Sequence, residues 1–218
     1  MSNYNKYADA VNESMKVGRA NYIVAVEEVK KAREKRDRVR ESGASATEIL
    51  KAESNYITAE ENKKITRQGW LIDLNNTIKE NRAEFLEELA KNSALKPGEV
   101  DTNAVTLINS GALTLKDLSV FADKYQEENN VTMLRLLKKY ANDNYKNVGD
   151  EQRGELQKIL LNLETDADRK TREFDTICNT ARIYSGQNHA ERDNTSEYIT
   201  DISAHWFDAE LQNLVKCF

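Results

Sequence analysis

Only nine residues of this chain can break a helix through backbone conformation alone, eight glycines and one proline, where average usage over the same length would give about 26. Sandwiches and barrels turn about every ten residues, and their turns draw on Gly for positive φ and on Pro for a pre-set φ. β architectures are therefore excluded, as are collagen-like and Pro/Gly-rich disordered chains. What remains is long, uninterrupted helix.

The apolar spacing supports this. Tyr4, Ala8, Val11, Met15, Gly18, Tyr22, Ala25, Val29, Ala32 and Val39 recur at alternating steps of three and four, with Arg36 in the one polar slot. Such a pattern predicts a coiled-coil-like seam. Its small residues Gly18, Ala25 and Ala32 would let another helix approach closely, and Arg36 predicts that the seam opens near its end. Gly43, after Glu41 and Ser42, supplies a left-handed stop; Ser45 and Glu48 then have the spacing of a capping box. Ile49, Ala52, Tyr56, Ala59, Lys63 and Thr66 continue the 3/4 pattern to Trp70, and Leu71, Leu74, Ile78, Phe85 and Leu89 carry it to Asn92. A turn this short makes the two helices antiparallel, so residues 1–92 form a long hairpin.

Pro97, between Asn92 and Asp101, marks the best boundary. Residues 93–149 follow as a compact region of short helices: one near Thr102–Asn109 stopped by Gly111, one opened by Thr114 with Asp117 at its third position, and one over Val131–Tyr145. Asp150 opens another long helix, whose stripe of Leu156, Leu160, Leu163, Ala167, Phe174, Ile177 and Ala181 runs to Gly186. A final helix, capped by Asn194 and Glu197, places Ile199, Ile202, Trp206, Ala209 and Leu214 on one face. Residues 150–218 thus read as a second hairpin. The expected fold is all-α and elongated, two long antiparallel hairpins joined by a compact bundle.

Chemistry is nearly absent. The chain holds no GxxxxGK[ST], GxGxxG, GxSxG or HExxH, the spacings that cradle phosphates, expose a nucleophile or bind zinc. Neither His189 nor His205 follows a glutamate by three residues, as a carboxylate-bridged metal pair in a bundle requires. Asp201, His205 and Asp208 share a helix face and form a weak metal candidate, but one helix cannot complete a coordination shell. Cys178 and Cys217 lack CxxC spacing and read as buried, reduced thiols. No cofactor and no enzymatic activity are expected.

Net charge is -5, yet residues 1–45 carry +3 and residues 150–218 carry -6, a polarity suited to head-to-tail contacts between copies. The densest cationic run is Lys30, Lys31, Arg33, Lys35, Arg36, Arg38 and Arg40. It offers an alternative role, binding nucleic acid or an anionic membrane surface. A helix-turn-helix reading of the Asn109–Thr114 turn is disfavoured, because the would-be recognition helix Leu115–Tyr125 carries two aspartates beside its two lysines. No window is apolar enough to span a bilayer and no signal-peptide core follows Met1, so a cytoplasmic protein is expected.

The stretches Gly111, Ala112, Leu113, Thr114, Leu115, Lys116, Asp117, Leu118 and Met133, Leu134, Arg135, Leu136, Leu137, Lys138, Lys139, Tyr140, Ala141 resemble segments of uncharacterised bacteriophage and prophage helical proteins. The resemblance transfers no site residue. It implies a role in particle structure or assembly, as a scaffold or virion component, in the host cytoplasm or the virion. The expected function is non-enzymatic: long helical surfaces presented to copies of the chain or to a partner protein.

Overall fold

The N-terminal seam folds as helix α1 (Asn5–Glu41). In this computed structural model, which describes residues 4–145, 149–187 and 203–218, Ala8, Val11, Met15, Gly18, Tyr22, Ala25 and Val29 are buried along one side of it. The stop is made by Gly43 at φ +69°, a conformation open to glycine because no Cβ meets the backbone. The capping box follows: Ser45 N donates to Glu48 Oε2 at 2.9 Å, and Glu48 N donates to Ser45 Oγ at 3.4 Å. Helix α2 (Ala46–Asn92) begins there. Their 37 and 47 residues give lengths of about 55 and 70 Å.

The contacts run in opposite senses along the two helices. Arg36 meets Tyr56, Tyr22 meets Trp70, and Tyr7 meets Phe85, which is antiparallel pairing. The seam is partly open near its end, as expected: after Val29 full burial stops, and Ala32 and Val39 are half-buried on either side of a half-buried Arg36. Its guanidinium lies 4.4 Å from the centre of the Tyr56 ring, bonds Asp37 at 2.8 Å and stands 4.0 Å from Glu53. A planar cation on an apolar stem fills the slot an aliphatic residue would take.

The first arm of the second hairpin is not one helix. The long helix expected from Asp150 breaks into α6 (Asp150–Asn162) and α7 (Asp166–Arg182). Gln126 Nε2 donates to the carbonyls of Asn162 at 2.6 Å and Glu164 at 2.9 Å, taking up acceptors that a continuing helix would use. Thr165 restarts the chain: its Oγ1 accepts from Asp168 N at 3.2 Å while its N donates to Asp168 Oδ2 at 3.0 Å. Burial pushes the Asp168 carboxyl up, but the Thr165 N–H and Lys138 ammonium hold it below the ordinary carboxylate range.

The chain accordingly divides into two units that differ from boundaries at 92/93 and 149/150. One comprises Met1–Phe85 with Glu173–Phe218, the other Leu86–Arg172. In the first, α1, α2, the last part of α7 and helix α8 (Ser203–Cys217) enclose an aromatic cluster. Phe85 lies 4.8 Å from Phe174, 5.8 Å from Phe218 and 5.4 Å from Tyr4 between ring centres. Arg82 Nε grips Asp175 Oδ1 at 2.7 Å. Past α7 a π-helical turn, Ile183–Gln187, follows. The buried face of α8 is Leu211, Val215 and Phe218; Ala209, expected inside, is exposed, and Leu214 is half-buried. Asn194 to Ile202 lie outside the described residues.

In the second unit a 3₁₀ turn at Pro97–Glu99 precedes α3 (Thr102–Ser110), α4 (Leu115–Glu127), α5 (Val131–Asn144) and α6. Asp101 caps α3 by accepting from Asn103 N and Ala104 N, each at 3.1 Å, and Gly111 ends it at φ +69°. Thr114 and Asp117 form the box that opens α4. Leu118, Ala122, Tyr125, Met133, Leu134, Leu137, Ile159 and Leu163 are the centre of the core. At 0.8 kcal/mol per buried CH₂, roughly, these side chains supply most of what holds the short helices together. Tyr125, though fully buried, keeps its hydroxyl satisfied by donating to Asp101 Oδ2 at 2.8 Å.

Candidate interaction surfaces

Of the small residues on the seam, Gly18 makes the tightest approach. A Cβ at this position would stand 1.8 Å from Trp70 Cδ1 and 2.1 Å from Nε1, so the indole lies directly on the glycine backbone. Trp70 is itself buried, and its Nε1 donates to no hydrogen-bond partner. The partner helix at Gly18 is therefore α2 of the same chain. Ala25 is buried and Ala32 half-buried on the same side. Beside the contact, Ser14, Asn21, Thr66, Gly69 and Asp73 border a cleft of about 200 Å³, smaller than the roughly 300–1,000 Å³ of small-molecule sites.

The cationic run divides by face. Arg36 is held over Tyr56, and Arg40 pairs with Glu53; both serve the hairpin. Lys31, Lys35 and Arg38 lie one helical turn apart and are exposed, together bordering a shallow depression with Val39 and Ser42. Lys30 and Arg33 are also exposed, away from that row.

A second apolar face was not anticipated. Leu50, Ile57, Ile65 and Ile72 are 69%, 54%, 65% and 60% exposed. Each is a large aliphatic side chain, and at 100° per residue they project within a narrow sector of α2, opposite Ala52, Trp70, Leu74 and Ile78. Their spacing of seven, eight and seven residues is visible in the sequence; beside the stronger inner pattern it reads as interruption. Single exposed aliphatics are ordinary, whereas a row of them marks a contact surface.

The ionisable groups carry structural work. Asp101 is lowered to about 2 by the Ala104 N–H, the Tyr125 hydroxyl and Lys124. Glu48 and Asp117 are lowered by the serine and threonine of their capping boxes, and Glu87 by Lys91. Cys178 is buried and its thiol is pushed up to about 11 by that burial, while Cys217, expected inside, is exposed. Asp201 lies outside the described residues, as do the side chains of His205 and Asp208. Among the described residues no three His, Cys, Asp or Glu are placed to hold a metal, and no helix is long and apolar enough to cross a membrane.

These features define an all-α protein built on a long intramolecular helical hairpin with apolar residues on both faces of its second helix. Comparison with protein-family models, with curated proteins and with solved structures finds no match.

Proposed function

We propose that this chain is a non-enzymatic structural or assembly protein that presents long helical surfaces to copies of itself or to a partner protein. The observation that carries the reading is the double patterning of α2: one face is closed by α1, and the opposite face leaves four large aliphatic side chains in water. Keeping such a row in water costs about 25 cal/mol per Å² relative to burial, a cost that a contact relieves. The resemblance of residues 111–141 to phage helical proteins makes a virion or scaffold component the favoured setting. Light scattering over a range of concentrations, with cross-linking in the producing cell, tests the proposal. Oligomers or a stable protein partner are expected; a strict monomer that captures nothing refutes it.

One observation favours a second reading, the exposed row of Lys31, Lys35 and Arg38. It would bind a polyanion, nucleic acid or an anionic membrane surface, with the salt dependence of counterion release. Replacing these three by glutamine leaves Arg36 and Arg40 to hold the hairpin. Binding to DNA, RNA or anionic vesicles that is absent, or unchanged in that variant, removes this reading.

A further inference from the structure

The outer face of α2 reads the same from either end. Glu61 is its midpoint; Ile57 and Ile65 lie four residues to either side, Ser54 and Gln68 seven, Leu50 and Ile72 eleven. A two-fold contact between identical chains requires a self-complementary patch, in which residue i meets j and j meets i. A palindromic helix face meets that requirement when two copies lie antiparallel with the dyad at Glu61. Leu50 then packs beside Ile72 of the second copy, and Ile57 beside its Ile65.

The charges select the same arrangement. Lys51 directly follows Leu50 and Asp73 directly follows Ile72, so both stand on one flank of the stripe, and both are exposed. Antiparallel pairing brings Lys51 of each copy to Asp73 of the other, twice per dimer. Glu61 meets its own copy at the dyad, and Lys64 of each copy, one turn away, flanks that carboxylate pair and offsets its repulsion. Parallel pairing would leave Lys51 of one copy about 33 Å along the axis from Asp73 of the other, so this ion pair would not form.

We propose that the Leu50–Asp73 face of α2 is a homodimer interface in which two copies pair antiparallel about Glu61. The proposal rests on the assembly reading above and names a second copy as the partner. The stripe runs over 22 residue steps from Leu50 to Ile72, about 33 Å, and a single helix-on-helix contact of that length falls below the roughly 1,200 Å² of a standard interface. The dimer is therefore reversible and concentration-dependent.

Sedimentation equilibrium and site-directed cross-linking test it on the full chain. The wild type is expected to shift from monomer to dimer with concentration, and Ile57→Asp with Ile65→Asp, both exposed positions, to weaken dimerisation at least tenfold with unchanged helicity. Lys51→Glu or Asp73→Lys alone weakens it, and the two together restore it. In a Cys217→Ser background, Glu61→Cys is expected to form a disulfide with itself. Ser54→Cys and Gln68→Cys each fail alone, being about 21 Å from their own copies, and cross-link when mixed, since bridged Cα atoms must come within about 7 Å. Cross-linking of Ser54→Cys or Gln68→Cys alone indicates a parallel pair and overturns the proposal. Dimers that survive the double aspartate variant also overturn it and leave the assembly reading standing, whereas a wild-type monomer that captures no other protein overturns both.

Discussion

Substituting Gly18 separates two opposing effects whose sum depends on one ring. In an ordinary exposed helix, Gly→Ala gains about 1 kcal/mol from backbone entropy and propensity. Here the new methyl would begin 1.8 Å from Trp70 Cδ1 and 2.4 Å from Cγ, against an optimum of about 3.5–4 Å between carbons. The methyl can be accommodated only if α1 and α2 separate by about 2 Å, or if Trp70 leaves its site. Separation leaves voids along a seam where Met15, Leu74 and Ile78 are fully buried; expulsion of the indole forfeits burial that typically stabilises by about 3–5 kcal/mol. Overpacking costs of about 1–3 kcal/mol therefore exceed the propensity gain, and with so close an overlap the net loss should reach about 2 kcal/mol. At a urea m-value of about 2–3 kcal/mol/M, the midpoint falls by nearly 1 M. In a Trp70→Ala background the obstacle is gone, and Gly18→Ala should now stabilise by about 1 kcal/mol. The reversal of sign is the decisive reading, a coupling of about 3 kcal/mol in a double-mutant cycle. Urea unfolding followed by far-ultraviolet circular dichroism, at one fixed protein concentration, measures all four variants. A Gly18→Ala protein as stable as the wild type, or the same change in both backgrounds, would refute the contact.

Thr165→Ala should cost about 1 kcal/mol by removing the cap that restarts the chain after α6; unchanged urea stability would mean that the break is held by Gln126 alone. Asp101 has a folded pKa of about 2, below its ordinary value of 3.8, so its contribution is present above pH 4 or so and is lost as pH falls towards 2. Acid titration should show a shallower loss of stability in Asp101→Asn, and the same slope in both proteins would exclude this group as a source. Because burial raises the Cys178 thiol to about 11 while Cys217 is exposed, a thiol reagent at neutral pH should modify one cysteine rapidly and the other only on unfolding; Cys217→Ser should abolish the fast phase, and its persistence would reverse the assignment.

The hairpin was legible because its determinants are local. The burial of Ala8, Val11, Met15, Gly18, Tyr22, Ala25 and Val29 follows the 3/4 spacing residue by residue, and the boxes at Ser45–Glu48 and Thr114–Asp117 begin helices where their spacing says they should. The break at Leu163 was not legible, although Thr165 and Asp168 carry the same capping signal. An unbroken apolar stripe ran across it, and the group that ends α6 is the amide of Gln126, distant in sequence. On α8 the described part of the expected face is rotated: Ala209 is exposed and Leu214 half-buried, while Leu211, Val215 and Phe218 face inward. The outer stripe of α2 is hidden in the sequence because a helix with two apolar faces shows weak overall amphipathicity.

By itself the sequence determined that the chain is helical, where most helices begin, and which side of α1 is apolar. Hydrogen bonds and side-chain neighbours three and four positions apart set these properties, and both lie within one turn. Only the tertiary structure decided that the α1 seam closes on the same chain through Gly18 and Trp70, that Arg36 completes that seam by lying over Tyr56, and which of two apolar faces of α2 is left in water. Those outcomes depend on which distant side chain occupies a given volume, and spacing along one helix carries no information about that.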